Sequence, residues 1–220
     1  MRKHVVRVLL AAGATAAAVV LSTGQAFAAD TVTITGANTS FTGESTAAVF
    51  DDVTSGQAFR CTHSTISGSM ANVTGAPLPF TTTQADGSPH SIAGLGFSGC
   101  VLALGPITAT VPAEDLPDDL VITSTSSTAP HASGHLQVAG PSGLLVHFSV
   151  ATCSFNLQGS PDATWTNGAT NQLTFTGAST TAQLTPVHTS AGCFGTFTPG
   201  DIMEYEATYT ISPSTVTVSP

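Results

Sequence analysis

The stretch Leu144-Leu145-Val146-His147-Phe148-Ser149-Val150-Ala151-Thr152-Cys153 decides the fold class. Leu144, Val146, Phe148 and Val150 alternate with Leu145, His147, Ser149 and Ala151. A two-residue period sends successive side chains to opposite faces of a strand, here one apolar and one wetter. Just upstream, Leu136 and Val138 alternate in the same way, and Gly140-Pro141-Ser142-Gly143 supplies turn chemistry. The two segments read together as a β-hairpin.

The same period recurs in Thr31 to Thr35, Ala58 to His63, Ile92 to Phe97, Ile107 to Val111, Leu120 to Ser124, Gln172 to Thr176 and Glu204 to Ile211. In the last, Tyr205, Ala207, Tyr209 and Ile211 form the expected inward face, and Glu204, Glu206, Thr208 and Thr210 the outward one. No apolar pattern repeats every 3.6 residues after residue 28. Many short strands rich in Thr and Val, separated by Gly, Pro, Asn and Asp, predict an all-β fold: an antiparallel sandwich or a distorted barrel.

Residues 1–28 read as a cleavable secretory signal peptide. Arg2, Lys3 and Arg7 precede an uncharged apolar run from Val8 to Leu21, and Ala26-Phe27-Ala28-Ala29 supplies the small residues of a cleavage site. The run is shorter than the roughly 20 residues that cross a bilayer, and no later segment is long and apolar enough to anchor the chain. Adjacent arginines are missing, which favours the general secretory route over twin-arginine export. No cysteine near the cleavage site offers a lipid attachment, and Ser212 to Pro220 has no apolar sorting tail. The expectation is a protein released to the extracellular space with no membrane partner after cleavage.

Loss of residues 1–28 leaves Arg60 as the only Lys or Arg against 13 carboxylates. Such an acidic surface repels phosphate backbones and anionic lipids, so nucleic acid is excluded as a partner. It also removes nearly every possible salt bridge, so folding must rest on apolar burial, strand pairing and cross-links. The charged fraction is 8%, with Ser, Thr, Gly and Ala taking surface positions that Lys and Glu usually hold, and long surface helices are not expected.

Cys61, Cys100, Cys153 and Cys193 all fall after the signal. An even number in an oxidising compartment predicts two disulfides. Three connectivities are possible. Nearly equal separations, and a glycine before each second cysteine, favour Cys61–Cys100 and Cys153–Cys193. Each closed loop would contribute about 4 kcal/mol by the chain-entropy model. Zinc is disfavoured because no Cys-x-x-Cys spacing occurs.

Residues 29–220 are expected to form a single all-β domain. A faint internal similarity links Cys61 to Ser69, ending Gly68-Ser69, with Cys153 to Ser160, ending Gly159-Ser160. That leaves open two related lobes meeting near 124–133, a stretch rich in Ser and Thr that also reads as an exposed loop of one domain.

The Ala-, Thr- and Gly-rich signal, the paired segments Cys61 to Gly99-Cys100 and Cys153 to Gly192-Cys193, and the Gly-Leu-Leu-Val-His-Phe strand before Cys153 resemble small secreted β-rich proteins of actinomycetes. The resemblance covers most of the chain after residue 28. It implies an exported, disulfide-bonded fold and carries over no activity and no functional residue.

Glu114, Asp115, Asp118 and Asp119 place four carboxylates within six residues, bracketed by Pro112 and Pro117. Hard cations bind converging oxygens, so this is the calcium candidate, although an acidic turn needs no ligand. His131 and His135 would share a face on a helix, but Pro130, Ser133 and Gly134 argue against one, and surface histidines explain His63, His90, His147 and His188. Gly-x-Ser-x-Gly is missing; Gly96-Phe97-Ser98-Gly99 is a partial echo better read as a turn beside a disulfide. Paired cysteines leave no thiol nucleophile. Trp165, the one tryptophan, stands two residues before Asn167-Gly168, a tight-hairpin signal. Its ring is open to two readings, a contact for a sugar or a partner, or a plug at the end of the core, and the second is favoured because aromatics chiefly supply buried area.

The functional expectation is a non-catalytic extracellular module, structural or binding, with no cofactor and with a protein or glycan as partner. Two alternatives stand beside it: a secreted hydrolase acting on polysaccharide or ester, whose paired carboxylates sequence cannot locate, and a calcium-stabilised surface or adhesion protein.

Overall fold

A computed structural model describes residues 30–36, 40–81, 92–102, 105–110, 116–137, 144–177, 184–193 and 196–220. Among the described residues every pairing is antiparallel, and the regular structure consists of strands with one 3₁₀ turn at Ala191–Cys193. In chain order the strands are β1 Thr31–Thr35, β2 Ser40–Ser45, β3 Ala48–Asp52, β4 Gln57–Ser69, β5 Val73–Pro77, β6 Phe80–Thr81, β7 Ile92–Leu102, β8 Gly105–Thr110 and β9 Asp119–Thr125. They continue as β10 Ala132–Gln137, β11 Leu144–Val150, β12 Cys153–Gly159, β13 Asp162–Thr166, β14 Asn171–Phe175, β15 Leu184–Val187, β16 Met203–Ser212 and β17 Thr217–Ser219.

The deciding stretch is two strands, not one. Val146 and Phe148 are fully buried while His147 and Ser149 are half-buried, as the alternation requires. The chain then reverses at Ala151-Thr152, where Val150 faces Cys153 across a tight turn and Ala151 takes φ 48°. Left-handed φ normally calls for Gly or Asn, and Ala-Thr hid the turn. The expected hairpin with residues 136–138 does not form: β11 pairs with β12 and β8, whereas β10 pairs with β9 and β13. Val138 and the Gly140–Gly143 segment lie outside the described residues.

Both candidate architectures are present, fused. Strands β3, β4, β7, β8, β11, β12, β15 and β16 pair in a ring, closed by β15 with β16 at Leu184 and Met203 and by β16 with β3. Eight strands make a barrel whose interior side chains just fill, and aromatic rings fill it here. Phe50 stacks on Phe59 and Tyr205, each at 4.7 Å between centroids, and Phe155 stacks on Phe197 at 4.3 Å. Phe148 meets Phe59 edge-on at 4.4 Å. Beyond the ring the sheet runs on through β2, the far end of β16, β14, β13, β10, β9 and β6. The three-stranded sheet β17-β1-β5 covers its inner face, burying Val32, Ile34, Val216 and Val218 completely beside Trp165 and Leu173. Stretch 124–133 closes the β9–β10 hairpin within this sheet, with Ser124 opposite Ser133.

Both disulfides have the favoured connectivity, Cys61–Cys100 and Cys153–Cys193. The first joins directly opposed residues of β4 and β7; the second ties β12 to the 3₁₀ turn. The glycines that precede Cys100 and Cys193 have steric reasons to be there. Gly99 sits at φ +61°, and a Cβ on it would fall 2.2 Å from Thr62 Oγ1; one on Gly192 would fall 2.1 Å from the Thr152 carbonyl oxygen.

Where barrel and sandwich join, the inner face carries polar atoms in a satisfied chain. Ser64 Oγ donates to the Gly96 carbonyl at 2.9 Å, so it must accept from Tyr209 Oη at 2.5 Å, and Tyr209 in turn accepts from Tyr205 Oη at 2.5 Å. Burial pushes the Tyr205 phenol well above its ordinary range and that of Tyr209 above it, with the hydrogen bonds between Tyr209 and its neighbours Ser64 and Tyr205 opposing the latter. A raised phenol pKa favours the neutral folded form. Its stabilising effect is complete below about pH 10 and is lost as pH climbs toward the folded-state values.

Because these are the chain's two tyrosines, phenolate absorbance should rise only together with loss of circular dichroism; phenolate forming near its ordinary pH in a still-folded protein would contradict the buried chain. Phe59→Ala, which empties the middle of the aromatic stack, should cost about 3–5 kcal/mol in denaturant melts.

Candidate functional site

Asp119 begins β9 and Asp118 immediately precedes it, while Glu114 and Asp115 lie outside the described residues. Asp118 is buried, at 1% exposure, and its backbone exchanges two 2.9 Å hydrogen bonds with Ile92. Asp119 is half-buried opposite Gln137. Among the described residues no group of three or more His, Cys, Asp or Glu is placed to hold a metal ion. His131 and His135 occupy an extended segment, where four residues span on the order of 13 Å, too far apart to share an ion. His131 Nδ1 accepts from the Asn167 amide at 3.1 Å instead.

Trp165 is 4% exposed. Its ring meets Phe41 edge-on at 6.4 Å, and its indole N–H donates to Asn167 Oδ1 at 3.0 Å. The ring lines a small apolar cavity of about 30 Å³ together with Met70, Leu120, Ala132, Leu173 and Val218, so it offers no face to a ligand outside. The Asn167-Gly168 pair does not make a two-residue turn: Thr166 faces Gln172, which leaves a five-residue loop. Asn167 engages the C-terminal strand rather than the turn itself.

What the fold does assemble is a polar outer face. Following the registers across the sheet, one row reads Gly96, Thr65, Glu44, Thr210, Gln172 and Thr166. The neighbouring row reads Thr208, Thr174, Thr164, Ser133 and Ser124. Each row crosses adjacent strands about 4.8 Å apart, so the second spans about 19 Å. Their side chains are half-buried or exposed. Thr174 donates to Thr208 within the second row at 3.4 Å. Glu44 is the one charge in either row.

Two open grooves border the rows. One, of about 460 Å³, lies over β2, β4 and β7, walled by Thr42, Glu44, Thr65 and Ser67 and floored where Gly94 and Gly96 carry no side chain. The other, of about 440 Å³, opens where β16 changes partner from β3 to β2, between Thr46, Thr174, Thr176, Glu206 and Thr208. A hydroxyl donates one hydrogen bond and accepts two, and a backbone without a Cβ allows close approach. The face is therefore equipped to exchange hydrogen bonds with a polar, uncharged surface. Large apolar side chains exposed among the described residues are limited to Val53 and Val101, both outside the rows.

Sequence reasoning found the β16 half of this face through the alternation of Glu206, Thr208 and Thr210. It missed the rows because they exist only once eight strands are in register. No known protein family, curated protein or solved structure matches the chain.

Proposed function

We propose that this protein is a secreted, non-catalytic binding module, exported by residues 1–28, whose outer sheet face contacts an uncharged extended glycan. The observation that carries the reading is the pair of hydroxyl-rich rows, which repeat at the strand spacing and hold a single carboxylate, Glu44. An extended polysaccharide offers donors and acceptors at intervals of similar length, so one chain laid across the strands would meet a new hydroxyl at each step. The acidic balance of the chain disfavours polyanions for the same surface. Disulfides at Cys61–Cys100 and Cys153–Cys193 suit an oxidising extracellular setting, and among the described residues no helix is long and apolar enough to cross a membrane.

Recognition through hydrogen bonds alone is weak at each contact, because water is exchanged for ligand with small net gain. Useful affinity then depends on many contacts along a repeating polymer. Neutral polysaccharides presented as insoluble particles should retain the protein, whereas polyanionic ones should not. Thr174→Glu and Thr164→Glu, which put charge in the middle of the second row, should weaken retention about ten-fold or more, the equivalent of one or two lost hydrogen bonds, with an unchanged melting temperature. Retention that is indifferent to both substitutions, or confined to polyanions, would rule this face out.

A further inference from the structure

The chain contains one Asn-Gly pair, Asn167-Gly168, and the fold uses it in a way that chemistry can undo. Asn167 reads the backbone of the C-terminal strand as a neighbouring strand would. Its Nδ2 donates to the Val218 carbonyl at 2.7 Å, and its Oδ1 accepts from the Val218 amide at 3.0 Å. The Trp165 indole N–H, also 3.0 Å from Oδ1, fixes which end of the amide is oxygen. On its other side β17 is held by β1. Behind it, Val216 and Val218 are completely buried.

Asn-Gly pairs deamidate because glycine leaves its own nitrogen unhindered. The Gly168 backbone nitrogen loses its proton and bonds to Asn167 Cγ, the Cγ–Nδ2 bond breaks, and ammonia leaves a cyclic imide. Water then opens the ring at either carbonyl, giving aspartate or isoaspartate. The net reaction consumes one water and releases one ammonia, and it needs no oxidant, metal or enzyme.

We infer that Asn167-Gly168 is a deamidation site held inactive by the fold, and that its conversion releases the C-terminal strand. Two contacts restrain the reaction. The Gly168 N–H, whose nitrogen must attack, donates to Asn171 Oδ1 at 3.0 Å. Asn171 is itself buried, at 1% exposure, and held in place by donation from Nδ2 to the Val216 carbonyl. The Cγ under attack is fixed by its bonds to Val218. Water reaches the loop nonetheless, since Gly168, Ala169 and Thr170 are exposed. Conversion to aspartate removes the donor that faces the Val218 carbonyl and sets a charged oxygen against it. Isoaspartate moves the carboxyl group away altogether. Aspartate therefore keeps at most the acceptor for the Val218 N–H, and isoaspartate leaves β17 paired with β1 alone.

The test uses the whole protein after signal removal, incubated in mildly alkaline buffer, with conversion at residue 167 followed by peptide mass mapping. In the native protein Asn167 should convert at least about ten-fold more slowly than in the denaturant-unfolded chain, the signature of a reaction gated by local opening. Asn171→Ala should bring the native rate close to the unfolded one, while Asn171→Asp, which keeps an oxygen facing the Gly168 N–H, should remain slow. In Asn167→Asp, exchange of the Val218 amide should rise about ten-fold, for the lost bond to the Val218 carbonyl and the charge set against it, with the Leu173 amide on β14 unchanged. A native rate equal to the unfolded rate, or unaltered Val218 exchange in Asn167→Asp, would overturn the inference. Should Asn171→Ala fail to fold, those two measurements still decide it.

Discussion

Strands β4, β7 and β16 run through both the barrel and the sandwich, and the rest of the molecule packs on their inward faces. Along β16, Met203, Tyr205 and Ala207 face the barrel, while Tyr209 and Ile211 face the sandwich. Along β4, Phe59 and Cys61 serve the first and Ser64 and Ile66 the second. With Arg60 as the one Lys or Arg beyond residue 28, ion pairs cannot supply the cohesion. It comes from continuous ladders and buried rings, at about 25 cal/mol for each Å² of apolar surface removed from water. Aromatic contacts pass from Phe197 through Phe155, Phe148, Phe59 and Phe50 to Tyr205 without a break.

That dependence explains where the remaining constraints fall. The cross-link between Cys61 and Cys100 sits on the two longest strands, at the level where the barrel begins. The chain of hydroxyls from Tyr205 to the Gly96 carbonyl lies at the junction, where a dry gap would otherwise leave orphaned polar groups. At the far end, the sandwich is closed by short strands from the two ends of the described chain, β1 and β17, and the outer edge of the second is held by the loop side chain of Asn167, with Asn171 of β14 bonded to Val216 just before it.

Much of the fold was legible in local pattern, and what was hidden had specific physical causes. β1 lies at its expected boundaries, and Glu204 to Ile211 has the expected inside and outside, because two-residue alternation is a local property of the chain. β12 was hidden by a left-handed turn at Ala151-Thr152, which carries neither Gly nor Asn. β2 and β3 were hidden by Gly43 and Glu44 and by Asp51-Asp52, polar or flexible residues in strands that bury only alternate positions. The Asn167-Gly168 signal marked a real reversal but mistook its kind: tertiary bonds to Val218 and Val216 stretch the loop to five residues. The outer rows of hydroxyls could not be read at all, since register across strands distant in sequence is set by the whole sheet.

The surface that results is unusual in what it withholds. Among the described residues most rings are turned inward and the cysteines are cross-linked, leaving Thr, Ser, Gln and a few carboxylates to meet the outside. All of this presupposes that barrel and sandwich are one cooperative body. The most direct measurement is a denaturant melt of the oxidised protein followed by two signals, fluorescence of Trp165 in the sandwich and near-ultraviolet dichroism of Tyr205 and Tyr209 at the junction with the barrel. Shared strands require one midpoint for both signals; two separated midpoints would show that the halves unfold independently and that the strands do not join them.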